Sequence, residues 1–324
     1  MRVVVGERLG GPEVLKVAER EEPRPGPGEV VVEVAAAGVN YMDIYQREGL
    51  GNYRTEPPFV PGAEGAGTVT AVGADVKGLA EGDRVAWAGL GGSYADQVAL
   101  PARRVVAVPD GISLQVAAAV MLQGMTAHYL SNSTYPVRDG DITVVHAAAG
   151  GAGRLLTQMV KRRGGVVVGT TSGGEKVEIA LGAGADHVVG YDRFRDIVDE
   201  VSDGAGAHVV YDGVGKATFD EGLESLRPRG MMVLYGAASG PVPPVDPQRL
   251  NTAGSLFLTR PTLVHYIADT GELRWRAGEL FDWIAKGELD VLIGGTYPLA
   301  EAARAQENLE SRRTTGKLLL LPGI

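Results

Sequence analysis

Cysteine is absent from this 324-residue chain, which rules out disulfides, thiolate-bound zinc and a cysteine nucleophile. No apolar run approaches the ~20 residues of a membrane-spanning helix. Positive charge is in deficit: 31 Lys and Arg stand against 40 Asp and Glu, a formal net charge of -9. That balance argues against a general binder of nucleic acid or of anionic membranes. The five histidines, His128, His146, His187, His208 and His265, are scattered without metal-ligand spacing. Each reads as an ordinary core or surface imidazole, so no metal is expected. There is no internal repeat and no low-complexity tract. The chain opens Met1-Arg2-Val3-Val4-Val5-Gly6 as a strand, without the charged leader and apolar segment of a secretory signal. A cytoplasmic protein is the expectation.

What is present is glycine, 47 residues, about twice the ordinary share, in a chain long enough for two domains. Residues 1–113 are rich in short β runs, at 29–34, 67–72 and 83–87 and from 91 onward. Turn signals separate them, as in Pro23-Arg24-Pro25-Gly26-Pro27-Gly28 and Gly73-Ala74. This spacing predicts an antiparallel, barrel-like module. From residue 114 the character changes. An apolar helical segment, 114–130, leads into strands at 142–146, 166–170, 187–189, 208–212, 231–236 and 255–259. Helical stretches lie between the first five, at 152–163, 175–181, 194–201 and 216–226. Apolar strands alternating with helices predict a six-stranded parallel sheet covered on both faces, in the doubly wound order 3-2-1-4-5-6. A helix at 279–285 and a tail at 314–321 follow. The tail is too small to be a domain and is expected to fold back on the first module. The fold class is therefore α/β, with a discontinuous β-rich domain (1–113 and 260–324) and an inserted dinucleotide-binding, Rossmann domain (114–259).

The first predicted strand of that sheet runs into Ala148-Ala149-Gly150-Gly151-Ala152-Gly153. Against the fingerprint G-x-G-x-x-G, alanine replaces the first glycine and the other two are kept. Gly150 admits a pyrophosphate to the backbone, and Gly153 lets the helix pack on its strand. Such turns also arise for structural reasons alone; the strand-helix alternation around this one favours a dinucleotide. An NAD site would carry an acid at the end of the second strand. Here that strand ends Val168-Gly169-Thr170-Thr171-Ser172-Gly173-Gly174-Glu175-Lys176, with small hydroxyl and glycine residues first and a cation after. This predicts NADPH, with Lys176 as the main cation for the 2′-phosphate. The plain alternative is a solvated lysine in a helix's first turn.

Several segments carry a family resemblance. They include Pro27-Gly28-Glu29-Val30, Ala36-Ala37-Gly38-Val39-Asn40, Pro61-Gly62-Ala63-Glu64-Gly65-Ala66-Gly67 and Gly82-Asp83-Arg84-Val85. These are similar to the GroES-like catalytic domain of the medium-chain dehydrogenase/reductase superfamily. His146-Ala147-Ala148-Ala149-Gly150-Gly151-Ala152-Gly153, Tyr211-Asp212-Gly213-Val214-Gly215 and Ser311-Arg312-Arg313-Thr314-Thr315-Gly316 resemble its zinc-free, zeta-crystallin-type quinone oxidoreductases. The likeness covers nearly the whole chain. In the zinc enzymes of the superfamily the metal ligands fall where this chain has Asn40, Ala63 and the segment Met121-Leu122-Gln123-Gly124. A catalytic zinc needs three protein ligands, which these residues cannot supply. The resemblance thus implies zinc-independent hydride transfer from NADPH to a quinone, an acceptor electrophilic without a Lewis acid.

By position, the resemblance places Asn40 and Tyr45 beside the nicotinamide, with Tyr53 flanking the acceptor pocket. Thr126 would also lie near the nicotinamide. Thr170, Thr171, Ser172, Lys176, Tyr191 and Arg312 would form the adenosine and 2′-phosphate set. Gly150, Gly151, Ala152 and Gly153 would take the pyrophosphate, and Gly213, Tyr235 and Gly236 the middle of the coenzyme. Tyr41, Tyr45 and Tyr53 also read as a plain aromatic cluster. No obligatory general acid stands out; the quinol proton would come from water or through Tyr45. Two alternatives stay open: an NADPH-dependent enone, alkenal or enoyl-thioester C=C reductase, and a non-catalytic, crystallin-like protein that binds NADPH or RNA. Net acidity weighs against RNA. A homodimer through the edge strand 255–259 is also implied.

Overall fold

The computed structural model describes residues 1–324. They form two compact units, 1–125 with 267–324, and 126–266. In the first unit, β1 (Arg2–Gly6) pairs antiparallel with β2 (Leu15–Glu19). The valine run becomes β3 (Glu29–Val39), which pairs antiparallel with β4 (Glu64–Val72). β5 (Arg84–Ala88), β6 (Gln97–Pro101) and β7 (Val106–Ala107) extend this sheet, β6 lying on β3. Between β3 and β4 lies α1 (Tyr41–Glu48), which ends at Gly49 with φ 72°, the left-handed conformation glycine adopts without a Cβ clash. The unit's core packs Val30, Val32, Trp87, Tyr94 and Leu100, all nearly or fully buried.

α2 (Leu114–Tyr129) is apolar on every side, with Ala117 to Met121, Met125, Ala127 and Tyr129 all buried, as befits a helix inside a fold. The expected domain boundaries, 113/114 and 259/260, sit where composition changes. The compact units exchange within α2, after Met125, and again after Tyr266. Composition marks where an element starts, whereas compactness follows which residues pack together.

The second unit alternates as its apolar strands require. In chain order come β8 (Ile142–Val145), α3 (Gly151–Arg162), β9 (Val166–Thr170), α4 (Glu175–Gly182), β10 (His187–Val189) and α5 (Phe194–Val201). Next are β11 (Ala207–Asp212), α6 (Phe219–Glu224), β12 (Leu226–Leu234), α7 (Pro247–Thr252), β13 (Phe257–Thr259) and α8 (Leu263–Tyr266). The strands form one six-stranded sheet in the order β10-β9-β8-β11-β12-β13, every pairing parallel. That is the predicted 3-2-1-4-5-6 winding. Two elements are shorter than expected. α6 starts at Phe219, not 216, because the buried Asp212 carboxylate accepts the N–H groups of Val214 (2.7 Å) and Gly215 (2.8 Å) and the Thr218 hydroxyl (2.9 Å), which holds that stretch as a turn. β13 starts at Phe257, not 255, because Ser255 is left-handed (φ 57°).

The chain then returns to the first unit. α9 (Thr270–Ala285) begins well before the expected 279, because Asp269 caps it by accepting the Glu272 N–H. β14 (Ile293–Pro298) and α10 (Ala302–Glu310) follow. The tail becomes β15 (Lys317–Leu321), antiparallel to β3 with Leu318 opposite Val39 and Leu320 opposite Ala37. Leu318 and Leu320 thereby complete the first unit's core. No helix is long and apolar enough to cross a membrane.

Candidate active site

The first unit buries a charged node. Glu64, at the start of β4, and Lys317, at the start of β15, form an ion pair with side chains 0% and 1% exposed. The Lys317 ammonium donates to the Glu64 carboxylate, to Asn40 Oδ1 (2.7 Å) and to the Val39 carbonyl (3.1 Å). All three of its protons are thereby used. Asn40 Nδ2 donates to Glu64 Oε1 at 2.7 Å, and Glu64 Oε2 accepts the Leu122 N–H of α2 at 2.6 Å. A Cβ on Gly38 would collide with the Glu64 carboxylate, so glycine there is what lets the acid lie against β3.

Asn40 is the N-cap of α1. Its own N–H donates to Asp43 Oδ2 (2.9 Å), which also accepts the Tyr94 hydroxyl (3.0 Å). Asp43 is 1% exposed, and its Oδ1 has no partner. Burial pushes the Asp43 carboxyl up to about 7; the Asn40 N–H, Lys317 and Tyr94 pull the other way, and Glu64 adds to the rise.

α1 carries the tyrosines. Tyr45 packs between Tyr41, centroids 6.2 Å apart, and Tyr53, 5.5 Å apart, so the predicted pair Tyr45 and Tyr53 is brought together. Tyr41 donates to the Leu309 carbonyl at 3.1 Å. Burial raises its hydroxyl pKa, which the nearby, hydrogen-bonded Arg312 opposes. Arg312, exposed and left-handed (φ 56°) beyond α10, is thus set beside Tyr41. The far end of α1 is fixed by Arg47, 0% exposed. It donates to Glu310 (2.8 Å), Gln306 (2.8 Å) and the Gly10 carbonyl (3.0 Å).

In the second unit the glycine turn leaves β8 as the fingerprint requires. Gly150 caps α3, Gly151 and Ala152 open it, and Ala147 takes φ 54° to make the bend. A Cβ on Gly153 would strike the Ala147 carbonyl, so this glycine brings helix and strand together. Ala148, at the first glycine position, is fully buried; its methyl faces Gly169 of β9, which has no side chain to meet it. Thr170 is also fully buried, and its hydroxyl shares a 2.9 Å hydrogen bond with His146 Nδ1. It therefore braces the turn from below. Thr171 accepts the Gly173 N–H (3.2 Å), and the Lys176 ammonium donates to the exposed Ser172 hydroxyl (3.2 Å). Gly173 and Gly174 have positive φ and open space around their Cα atoms. Gly213 backs onto the Tyr235 ring and approaches Gly236, so these three meet at the ends of β11 and β12. Burial raises the Tyr235 hydroxyl pKa, as do Asp212 and Tyr191. Thr126, 9% exposed, lies on α2.

The sequence reading does not single out the buried side chains of Glu64, Lys317 and His146. The first two had a signal: an acid and a lysine each opening an otherwise apolar strand. His146 is fully buried, edge-on to Phe194 (4.9 Å) and near Tyr191 (5.9 Å), with Nε2 unpartnered. Burial lowers its pKa to about 4, against a small opposing pull from Asp212, so the ring is neutral.

No three His, Asp or Glu side chains converge to hold a metal ion. Residues 26–110 match the family described as the alcohol dehydrogenase GroES-like domain, and residues 183–320 the family described as zinc-binding dehydrogenase. The chain is 44% identical over 320 residues to a quinone oxidoreductase of Pseudomonas aeruginosa, covering 97% of each. It is 39% identical over 323 residues to a 2-haloacrylate reductase of a Burkholderia species, again covering 97% of each. The quinone oxidoreductase of Escherichia coli, solved in complex with NADPH, matches with a TM-score of 0.96 at 38% identity, over 99% of this chain and 100% of that one.

Proposed function

Because the chain belongs to the zinc-independent quinone-oxidoreductase family of the medium-chain dehydrogenases/reductases, we propose that it reduces a quinone with NADPH. The observation that carries the coenzyme assignment is the end of β9. No acid stands there to hold a ribose diol; instead Lys176 and Ser172 lie beside the open backbone of Gly173 and Gly174. That set fits a 2′-phosphate. Gly151 to Gly153 offer backbone N–H groups at a helix N-terminus for the pyrophosphate, Gly150 keeps the approach to them free of a side chain, and Gly213, Tyr235 and Gly236 line the strand ends beyond it. NADPH bound there supplies the hydride.

The reading gives the pyrophosphate and 2′-phosphate of the coenzyme to residues of the second unit and the acceptor to residues of the first. Tyr45, held between Tyr41 and Tyr53, gives the acceptor an aromatic wall and a hydroxyl for its oxygen. Reduction to the quinol takes one hydride and one proton. The proton comes from solvent or through the Tyr45 hydroxyl, and no other side chain of the first unit is assigned as an acid. Asn40 has both amide hydrogens and its oxygen engaged by Gly38, Glu64 and Lys317. Its contribution is to fix the start of α1. Arg312, which the resemblance assigns to the 2′-phosphate set, is hydrogen-bonded to Tyr41. The protein works in the cytoplasm on this reading, and a second copy pairs along β13, where Phe257 is 56% exposed on an edge strand.

A second reading is favoured by one relative, the 2-haloacrylate reductase: the acceptor is an activated C=C bond. NADPH oxidation measured against 9,10-phenanthrenequinone, benzoquinone, short alkenals and 2-chloroacrylate separates the two. Turnover with the quinones well above the alkenes is expected. Turnover confined to the alkenes replaces the first reading with the second.

A further inference from the structure

Glu64 is where four stretches of the first unit meet. Its carboxylate binds Asn40 at the head of α1, Lys317 at the start of β15 and the Leu122 N–H of α2, and it lies on Gly38 of β3. A buried ion pair is seldom the most stable choice, because desolvation offsets much of the Coulomb attraction and an apolar pair of similar volume often does as well. What the pair does provide is a direction. Asn40 Nδ2 faces the carboxylate and Oδ1 faces the ammonium. Turning the amide over would set donor against donor and acceptor against acceptor, so a single orientation is allowed.

We propose that Glu64 and Lys317 are positioning residues for the reaction: through Asn40 they fix the start of α1, the helix that carries Tyr45. The inference rests on the assignment of Tyr45 to the acceptor site made above. Neither residue is offered as touching substrate, since the three ammonium protons are all committed within the node. The far end of α1 is held independently by Arg47 on Glu310 and Gln306. Loss of the node therefore shifts one end of the helix and leaves the other anchored. A shift of about 1 Å in a group beside the reacting atoms is enough to lower turnover by ~10²-fold.

The test is the double variant Glu64→Gln with Lys317→Met beside the single Lys317→Met. The single leaves the Glu64 charge buried without its partner, and a large drop in thermal midpoint is expected. The double carries no buried charge at the node and is expected to recover most of that midpoint. Its kcat with a quinone is nevertheless expected to stay roughly 10- to 100-fold down, with KM for NADPH unchanged. Hydrogen exchange of the amides of residues 41–48 in the coenzyme-free double variant is expected to quicken, while β3 and β4 stay protected. A double variant that recovers kcat together with its stability makes the node merely structural and overturns the inference. So does wild-type exchange in α1. Absence of quinone turnover in the wild-type protein would dispose of the proposed reaction instead, and the exchange measurement would still decide whether the node sets α1.

Discussion

The most deeply buried acid of each unit is used in an opposite way. In the second unit Asp212 serves residues two, three and six positions along the chain, and the buried imidazole of His146 braces the neighbouring strand through Thr170. In the first unit Glu64 closes on a lysine 253 residues away. A turn braced locally forms as soon as its own strand and helix do. A node drawn from β3, β4, α2 and β15 exists only when the whole unit is folded. The second unit's turn geometry is thus a local property of the sequence, and the first unit's node a property of the fold.

The variant with the largest expected effect is Lys317→Met. Leaving the Glu64 carboxylate buried and unpaired costs about 3–5 kcal/mol, read as a lower urea midpoint. NADPH affinity, whose phosphate contacts the reading gives to the other unit, is expected to hold in a titration on the folded variant. A parallel loss of affinity would erase the contrast. Next is Lys176→Glu. One charge-assisted hydrogen bond is worth roughly 1.5–3 kcal/mol, so KM for NADPH rises about 10- to 150-fold or more while KM for NADH changes far less. Equal effects on both coenzymes would remove Lys176 from the phosphate site. Tyr45→Phe follows, lowering kcat by at most ~10²-fold; complete loss in a folded protein would mean that an essential acid resides at this position.

The smallest effect lies in the pH dependence of the wild type, because the two buried groups oppose one another. Asp43 has its folded pKa raised from 3.8 to about 7, so the native state holds the extra proton and stability falls as pH rises from about 4 to about 7. His146 has its pKa lowered from 6.5 to about 4, so the unfolded state takes up the proton first. Stability then falls as pH drops from about 6.5 to about 4. Over the shared window the slopes oppose. Asp43→Asn is expected to leave a stability that climbs with pH there, and His146→Gln one that falls, each read from urea midpoints across the window. Slopes of the same sign in both variants would contradict the opposed shifts of Asp43 and His146.

This contrast also sets what was legible in the sequence. Five of the second unit's strands lie within two residues of expectation because each is a short apolar run bounded by turn residues, and winding order follows from strand-helix alternation; β12 starts five residues earlier than expected, at Leu226. The glycine turn was readable because its signal spans six adjacent residues. Its replaced first glycine has its explanation outside those six residues, in Gly169, which makes room for the Ala148 methyl. The contraction of α6 was hidden because the preference of Asp212 for turning the chain competes with helical periodicity and leaves no mark in it. Asn40 was singled out, yet its partners were not. Nothing in local pattern joins residue 40 to residues 64 and 317; only the pairing of β15 on β3 does so.

That pairing has a consequence for how the molecule comes into being. The ribosome delivers the second unit's entire sheet before residue 317 has been made. The parallel sheet and its glycine turn can therefore assemble during synthesis, while β3 waits beside an uncapped edge and Glu64 remains without its counter-charge. A nascent chain stalled just short of residue 317 is expected to have the second unit assembled and the first unfinished. The last strand to emerge is the one that latches the first unit shut.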